Sequence, residues 1–149
     1  DDKLPRAMYK ALQAAGMNVQ NYGTVLVTLA DEDKEEGLPL VRRFYEMGFN
    51  IEATAGTANY LKSHGIRTRV RGKISEGSHQ ILDSIHAGYV SYVINTRSIQ
   101  SGAHQEDGTA IRRCAVENGV TMFTSLDTVR VLLDVLEETT LTISTIDAE

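Results

Sequence analysis

The sequence predicts an α/β fold in three layers, Rossmann-like, with a mainly parallel five-stranded sheet and helices on both faces. Strand-like and helix-like segments alternate along the chain, and that order calls for crossovers between parallel strands. VLVTLA (25–30) is β-branched and nearly continuous in apolar character, as a strand covered on both faces should be. Gly48, Gly65 and Gly119 fall where helical patterns run out, the places where helices stop.

Each element has its own signal. After VLVTLA, DKEEGLPLVRRFYEMG sets Leu38, Val41, Phe44 and Tyr45 at helical spacing. Pro39 lies inside that run, which predicts a helix that begins only near Gly37 or bends there. FNIEATA (49–55) reads as the second strand and TANYLKSHG (57–65) as a short helix. TRVRGKI (68–74) is a weaker third strand. SHQILDSIHAG (78–88) sets Ile81, Leu82 and Ile85 on one helical face, and YVSYVINT (89–96) is the strongest strand pattern in the chain. RSIQSGAHQEDG reads as a polar loop leading to a helix over 109–118. VTMFTS (120–125) is the fifth strand and LDTVRVLLDVLEE (126–138) a closing amphipathic helix. At the start, LPRAMYKALQAAG has an apolar helical stripe of Leu4, Met8 and Leu12. The tail TTLTISTIDAE reads either as a sixth strand or as a disordered end.

Composition narrows the function. A chain of 149 residues that is 42% hydrophobic can bury one substantial core. A formal net charge of −5 argues against a nucleic-acid partner, so any anion must be held by a local group of donors. One cysteine, Cys114, permits no internal disulfide and reads as a buried, inert thiol on a helix. No apolar run reaches membrane-spanning length and no signal-peptide pattern is present, so the expected setting is soluble and cytoplasmic.

In open α/β sheets ligands sit beyond the carboxyl ends of the strands. At those ends fall Asp31, Asp33 and Lys34; Thr54, Gly56 and Thr57; Lys73, Ser75 and Glu76; Asn95, Thr96 and Arg97; and Thr124 and Ser125. The turn Thr54-Ala55-Gly56-Thr57 opens a helix whose first N–H groups and dipole favour a phosphate. Gly56 lets the backbone approach closely, the two threonines can add hydroxyl donors, and Lys34 and Lys73 would bring charge. The competing reading is that Thr57 only caps its helix and Gly56 only makes the turn.

Arg67, Arg69, Arg71 and Lys73 alternate onto one face of the third strand, which places that strand at the sheet's edge. There Arg67 and Arg69 guard against edge pairing, while Lys73, at the strand end, stays a ligand candidate. His64, His79, His86 and His104 show no metal spacing, and only His104, in the polar loop, is of interest. Arg112 and Arg113 read as a solvated helix face. No nucleophile elbow or Walker phosphate loop is present.

Taken together, GTVLVTLADEDKEE, IEATAGTANYL, KISEG, YVINT, DGTAIRRCAVENGV and MFTSLDTVRVLLD resemble the methylglyoxal-synthase-like domain, in the version that ends the carbamoyl-phosphate synthase large subunit. The resemblance implies a linker helix from a preceding catalytic region at 1–22, a regulatory domain at 23–138 and a tail at 139–149. It implies an allosteric module that binds UMP as inhibitor and in some members IMP as activator, with nucleotide contacts at Thr28, Lys34, Thr54, Gly56, Thr57, Lys73, Asn95 and Thr96. Arg97 departs from a threonine found in some members and favours a ligand with more phosphate, such as phosphoribosyl pyrophosphate. Thr124 matches a position that in some members helps bind ornithine at the domain boundary. The fragment would have no catalytic or metal residues and no cofactor. Its parent would be a glutamine-hydrolysing ligase that uses ATP with Mg or Mn, has a glutaminase small subunit, and serves pyrimidine and arginine biosynthesis.

Two rival readings come from other classes. A free-standing methylglyoxal synthase, acting on dihydroxyacetone phosphate, needs a carboxylate base beside the phosphate grip. The resemblance places that base as an aspartate after the third strand, where this chain reads RGKISEGSHQ, and expects aspartate-proline after the fourth, where it reads Asn95-Thr96. A protein-interaction module without ligand is the other alternative.

Overall fold

The computed structural model describes residues 23–72, 79–96 and 102–148, with the side chains of 102–108 and 139–148 outside that description. The sheet has five strands: β1 (Thr24–Thr28), β2 (Asn50–Thr54), β3 (Thr68–Arg71), β4 (Val90–Asn95) and β5 (Thr121–Phe123). Their order is β3-β2-β1-β4-β5 and every pairing is parallel, so the sheet is the expected one in all-parallel form. The helices are α1 (Lys34–Glu46), α2 (Ala55–Ser63), α3 (Gln80–His86), α4 (Gly102–Glu117) and α5 (Leu126–Ala148), with a 3-10 turn at Asp31–Asp33.

Strand alternation sorts the core into two layers. Val25 and Val27 of β1, with Ile51 and Ala53 of β2, face Leu40, Val41 and Phe44 of α1, Ala58 and Leu61 of α2, and Leu132, Leu133 and Leu136 of α5. Leu26 faces the other way, onto Ile81 and Ile85 of α3 and Ile111 and Cys114 of α4. β1 is buried along its whole length, the expected environment for a central strand. Arg43 ties α1 to α5, donating to Glu137 at 2.8 Å and to Asp134 at 2.8 Å. The hydrogen bond to Glu137 does most to hold its guanidinium above its ordinary pKa, against a smaller lowering by burial, with Asp134 adding to the rise.

β3 lies at the edge, as its arginines predict, and Arg67 and Arg69 are exposed there. Three other expectations are corrected. Of the two expectations for α1 the late start near Gly37 is overturned, since the helix begins at Lys34 and carries Pro39 inside it. Pro39 and Glu35 are both accessible to water, which can serve the carbonyl that proline leaves without a donor. Residues 102–108, read as loop, already belong to α4. The tail is neither strand nor disordered, because α5 continues unbroken to Ala148. No Gly or Pro interrupts 126–148, and extending an existing helix needs no new nucleus. No helix among the described residues is long and apolar enough to cross a membrane.

β4 carries an irregularity that matters to the core. Thr24 pairs with Val90 but Val25 pairs with Tyr92, so Ser91 is an extra residue in the ladder. Val90 and Val93 thereby reach the α3–α4 face together while Tyr92 and Ile94 face α1 and α5. The chain enters the sheet beside this bulge through Gly23, at φ +113°, and a Cβ there would stand 2.1 Å from Ser91 Oγ. Gly23→Ala should therefore lower stability by about 1–3 kcal/mol, from backbone strain and the displaced serine together. A urea melt reads this directly.

Candidate functional site

Chain direction fixes where a site can form. From β1 the chain moves outward to β2 and β3, then crosses back so that β4 pairs on the other side of β1. The carboxyl ends of β1 and β4 thus diverge at the switch point where ligands settle in such sheets. Thr28 and Asn95 are register partners at that edge, and both are buried. Thr54 ends β2 alongside them, and Thr96 follows Asn95.

The loop after β1 is held from both sides. Leu29 N donates to Thr57 Oγ1 at 3.1 Å, and Ala30 N donates to Thr96 Oγ1 at 3.2 Å. Thr96 N in turn donates to Thr28 O at 3.0 Å. Two threonines read as ligand donors therefore use their oxygens first as acceptors for backbone. A hydroxyl that accepts still has its own hydrogen to give, so neither role excludes the other. The reading of Thr57 as a cap is corrected: α2 starts at Ala55, Thr54 occupies the cap position, and Thr57 is buried within the first turn.

Thr54 makes no side-chain capping bond, and Ala55 and Gly56 are exposed. The first N–H groups of α2 have no partner within the helix, and the two residues that begin it are exposed at its positive end. Above them stands Lys34, the first residue of α1. Its Nζ lies 3.6 Å from where a Cβ on Gly56 would be, so the missing side chain leaves the approach between ammonium and backbone open. Asp31 Oδ1 holds the same ammonium at 2.6 Å. Backbone donors, one lysine and nearby hydroxyls make a niche suited to a phosphate.

Of the predicted site residues, Thr28, Lys34, Thr54, Gly56, Thr57, Asn95 and Thr96 thus belong to the ends of three neighbouring strands, β2, β1 and β4. Lys73 and Arg97 lie outside the described residues, as do Ser75 and Glu76. The side chain of His104 lies outside them too. Thr124 is placed differently: with Asp33, Glu36, Thr96, Ser125, Leu126 and Asp127 it lines a pocket of about 310 Å³. Arg130 donates to Asp127 at 2.6 Å and also to Glu36, tying two of that pocket's carboxylates together. Thr96 is common to both places.

Sequence reasoning misses a buried network on β2. Glu52, with its side chain 4% exposed, accepts from Arg71 Nε at 2.8 Å and from Ser84 Oγ at 3.0 Å. Arg71 also donates to Tyr89 Oη, which donates to Ser84. The hydrogen bond to Glu52 raises the Arg71 pKa, with burial opposing it and the charge of Glu52 adding to it. A signal is present, since Glu52 is the lone charged residue in its strand and Arg71 lies on the next strand. The network sits beside a cavity of about 810 Å³, which includes Asn50, Glu52, Arg67, Arg69 and Tyr89 and so lies toward the strands' amino ends. Cys114 is buried, and burial pushes its thiol up, as an inert thiol requires. No group of metal-ligating side chains occurs among the described residues.

Two substitutions test this geometry. Thr57→Val removes the acceptor of Leu29 N in a buried place and should cost about 1–3 kcal/mol, while Thr57→Ser should keep most of the stability. Arg71→Met leaves Glu52 buried without its ion pair and should cost about 3–5 kcal/mol in the same urea melts.

With the geometry in place, comparison with known families adds one finding. The family described as the MGS-like domain matches residues 36–124, from the first turns of α1 to the end of β5. The matched span contains Thr54, Gly56, Thr57, Asn95 and Thr96, and it begins just after Thr28 and Lys34. It covers more than half of the chain and most of the sheet that builds the niche. The chain belongs to the MGS-like domain family.

Proposed function

We propose that this chain is the allosteric regulatory domain of a carbamoyl-phosphate synthase large subunit, and that its strand-end niche binds the phosphate of a nucleotide effector, UMP in the first instance. The observation that carries the reading is the Lys34 ammonium standing beside the exposed first residues of α2, Ala55 and Gly56, at a helix start with no side-chain cap, on the switch-point edge of an MGS-like sheet. Such a place favours a compact anion. IMP and phosphoribosyl pyrophosphate offer the same phosphate chemistry and are the companion candidates, the latter favoured by Arg97.

The residues at the end of β4 favour regulation over synthase chemistry. Asn95 and Thr96 stand there, and neither offers a carboxylate base. The effector would act by binding more tightly to one state of the catalytic domains than to another, and a coupling of about 1–3 kcal/mol suffices for ordinary allostery. The loop after β1 is suited to carry that coupling because Thr57 and Thr96 fasten it to both neighbouring strand ends. The catalytic domains of the parent chain, with their ATP and divalent metal, and the glutaminase subunit are the partners this reading requires.

Calorimetric titration with UMP, and with uridine as the phosphate-free control, tests the proposal. UMP should bind saturably and uridine should not. Lys34→Ala should weaken UMP by about ten- to a hundredfold, the loss of one charge-assisted hydrogen bond. Equal binding of UMP and uridine would overturn the phosphate reading.

A further inference from the structure

Lys34 reaches the niche already paired, and its partner is written into the sequence. In Ala30-Asp31-Glu32-Asp33-Lys34, the aspartate opens the 3-10 turn and the lysine opens α1 directly after it. Residues three apart on such a turn stack over one another, so the acid at 31 comes to the base at 34 by local geometry alone. The contact is 2.6 Å, with the lysine side chain 19% exposed and the aspartate side chain 91% exposed. The lysine is thus fixed in the protein, and the aspartate is the solvent-side partner.

We infer that Asp31 is an affinity-setting residue of the anion niche, a carboxylate that occupies the lysine a ligand phosphate would take. The inference rests on the phosphate reading given above and deepens it. Exchange is favourable because a phosphate that reaches Lys34 also meets the helix-start N–H groups of the exposed residues Ala55 and Gly56, a gain added to the lysine contact it takes over from Asp31. A ligand must therefore engage both lysine and helix end to displace Asp31, and an anion that reaches only the lysine gains little over the contact it replaces. The same contact keeps the ammonium beside Gly56 before any ligand arrives. Asp31 thereby lowers affinity while preserving the arrangement of the niche.

The test compares Asp31→Asn with Glu32→Gln, which removes the same charge from an exposed neighbour that forms no salt bridge with Lys34. Titrations use UMP, inorganic phosphate and uridine. Asp31→Asn should tighten UMP and inorganic phosphate alike by about three- to tenfold, against less than about twofold for Glu32→Gln. Uridine should be unaffected in both, since the effect acts on the lysine and not on the base. Urea melts of the two variants confirm that the fold is intact, as expected for exposed positions. If UMP binds and the two variants gain equally, or Asp31→Asn loses affinity, the inference is overturned and the phosphate reading stands. If UMP binds neither the wild type nor either variant, both fall together.

Discussion

Where β1 ends, two backbone N–H groups lose the ladder that had satisfied the strand. Leu29 and Ala30 are both buried, so each needs a partner from the protein. The partners come from opposite directions, Thr57 in the first turn of α2 and Thr96 just beyond β4. This double fastening decides much else. It sets the path of the 3-10 turn, and through that turn the position of Lys34 at the head of α1. It also draws the start of α2 and the end of β4 toward the same loop, which is why a niche exists at this edge at all. Leu29, held this way, packs on Gly37 so closely that a Cβ there would meet Leu29 Cδ1 at 2.9 Å.

The sheet serves two needs at its two ends. At the carboxyl end, polar groups are collected around the uncapped start of α2, the site proposed for an anion. On β2, Glu52 is buried within the sheet, and burying a carboxylate is costly unless it is matched. Arg71, Ser84 and Tyr89 match it. The arrangement explains why the third arginine of the edge strand differs from the other two. Arg67 and Arg69 are exposed, whereas Arg71 is turned to an internal duty between β2, β3 and the approach to β4. Alternation along the strand puts these side chains on one face but does not say which of them finds an acid.

The fold is legible because its determinants are periodic. VLVTLA, YVSYVINT and the helix stops at Gly48, Gly65 and Gly119 are local signals that the tertiary structure does not override, and those glycines sit at positive φ. Elements without such punctuation mislead. TTLTISTIDAE is β-branched, and propensity favours a strand, but helix α5 runs into it with nothing to stop it. RSIQSGAHQEDG is polar enough for a loop, yet its second half is the start of α4. The strand-end rule finds the niche residues, since it depends only on order and direction. It does not reveal that Thr57 and Thr96 accept from the loop after β1, because that depends on the side chain's rotamer and the loop's path. Asp31 is visible as a polar strand-end residue, but its bond to Lys34 needs the 3-10 turn, which no periodicity announces.

A protein of net charge −5 can still hold an anion if the attraction does not rely on its overall field. In the proposed site two of the donors are the backbone N–H groups of Ala55 and Gly56, which carry no formal charge and leave no mark on composition. One lysine would supply the charge, its Nζ 3.6 Å from where a Cβ on Gly56 would be, so a side chain there would come into contact with it. Thr54 leaves its cap position without a side-chain bond, so the helix end is not satisfied from within. An uncapped helix N-terminus is a small local loss of stability, about 1 kcal/mol on the usual scale for caps. At the switch point of the sheet, under a lysine, that loss is what the proposed phosphate would recover, because the groups left without partners are the ones a phosphate can satisfy.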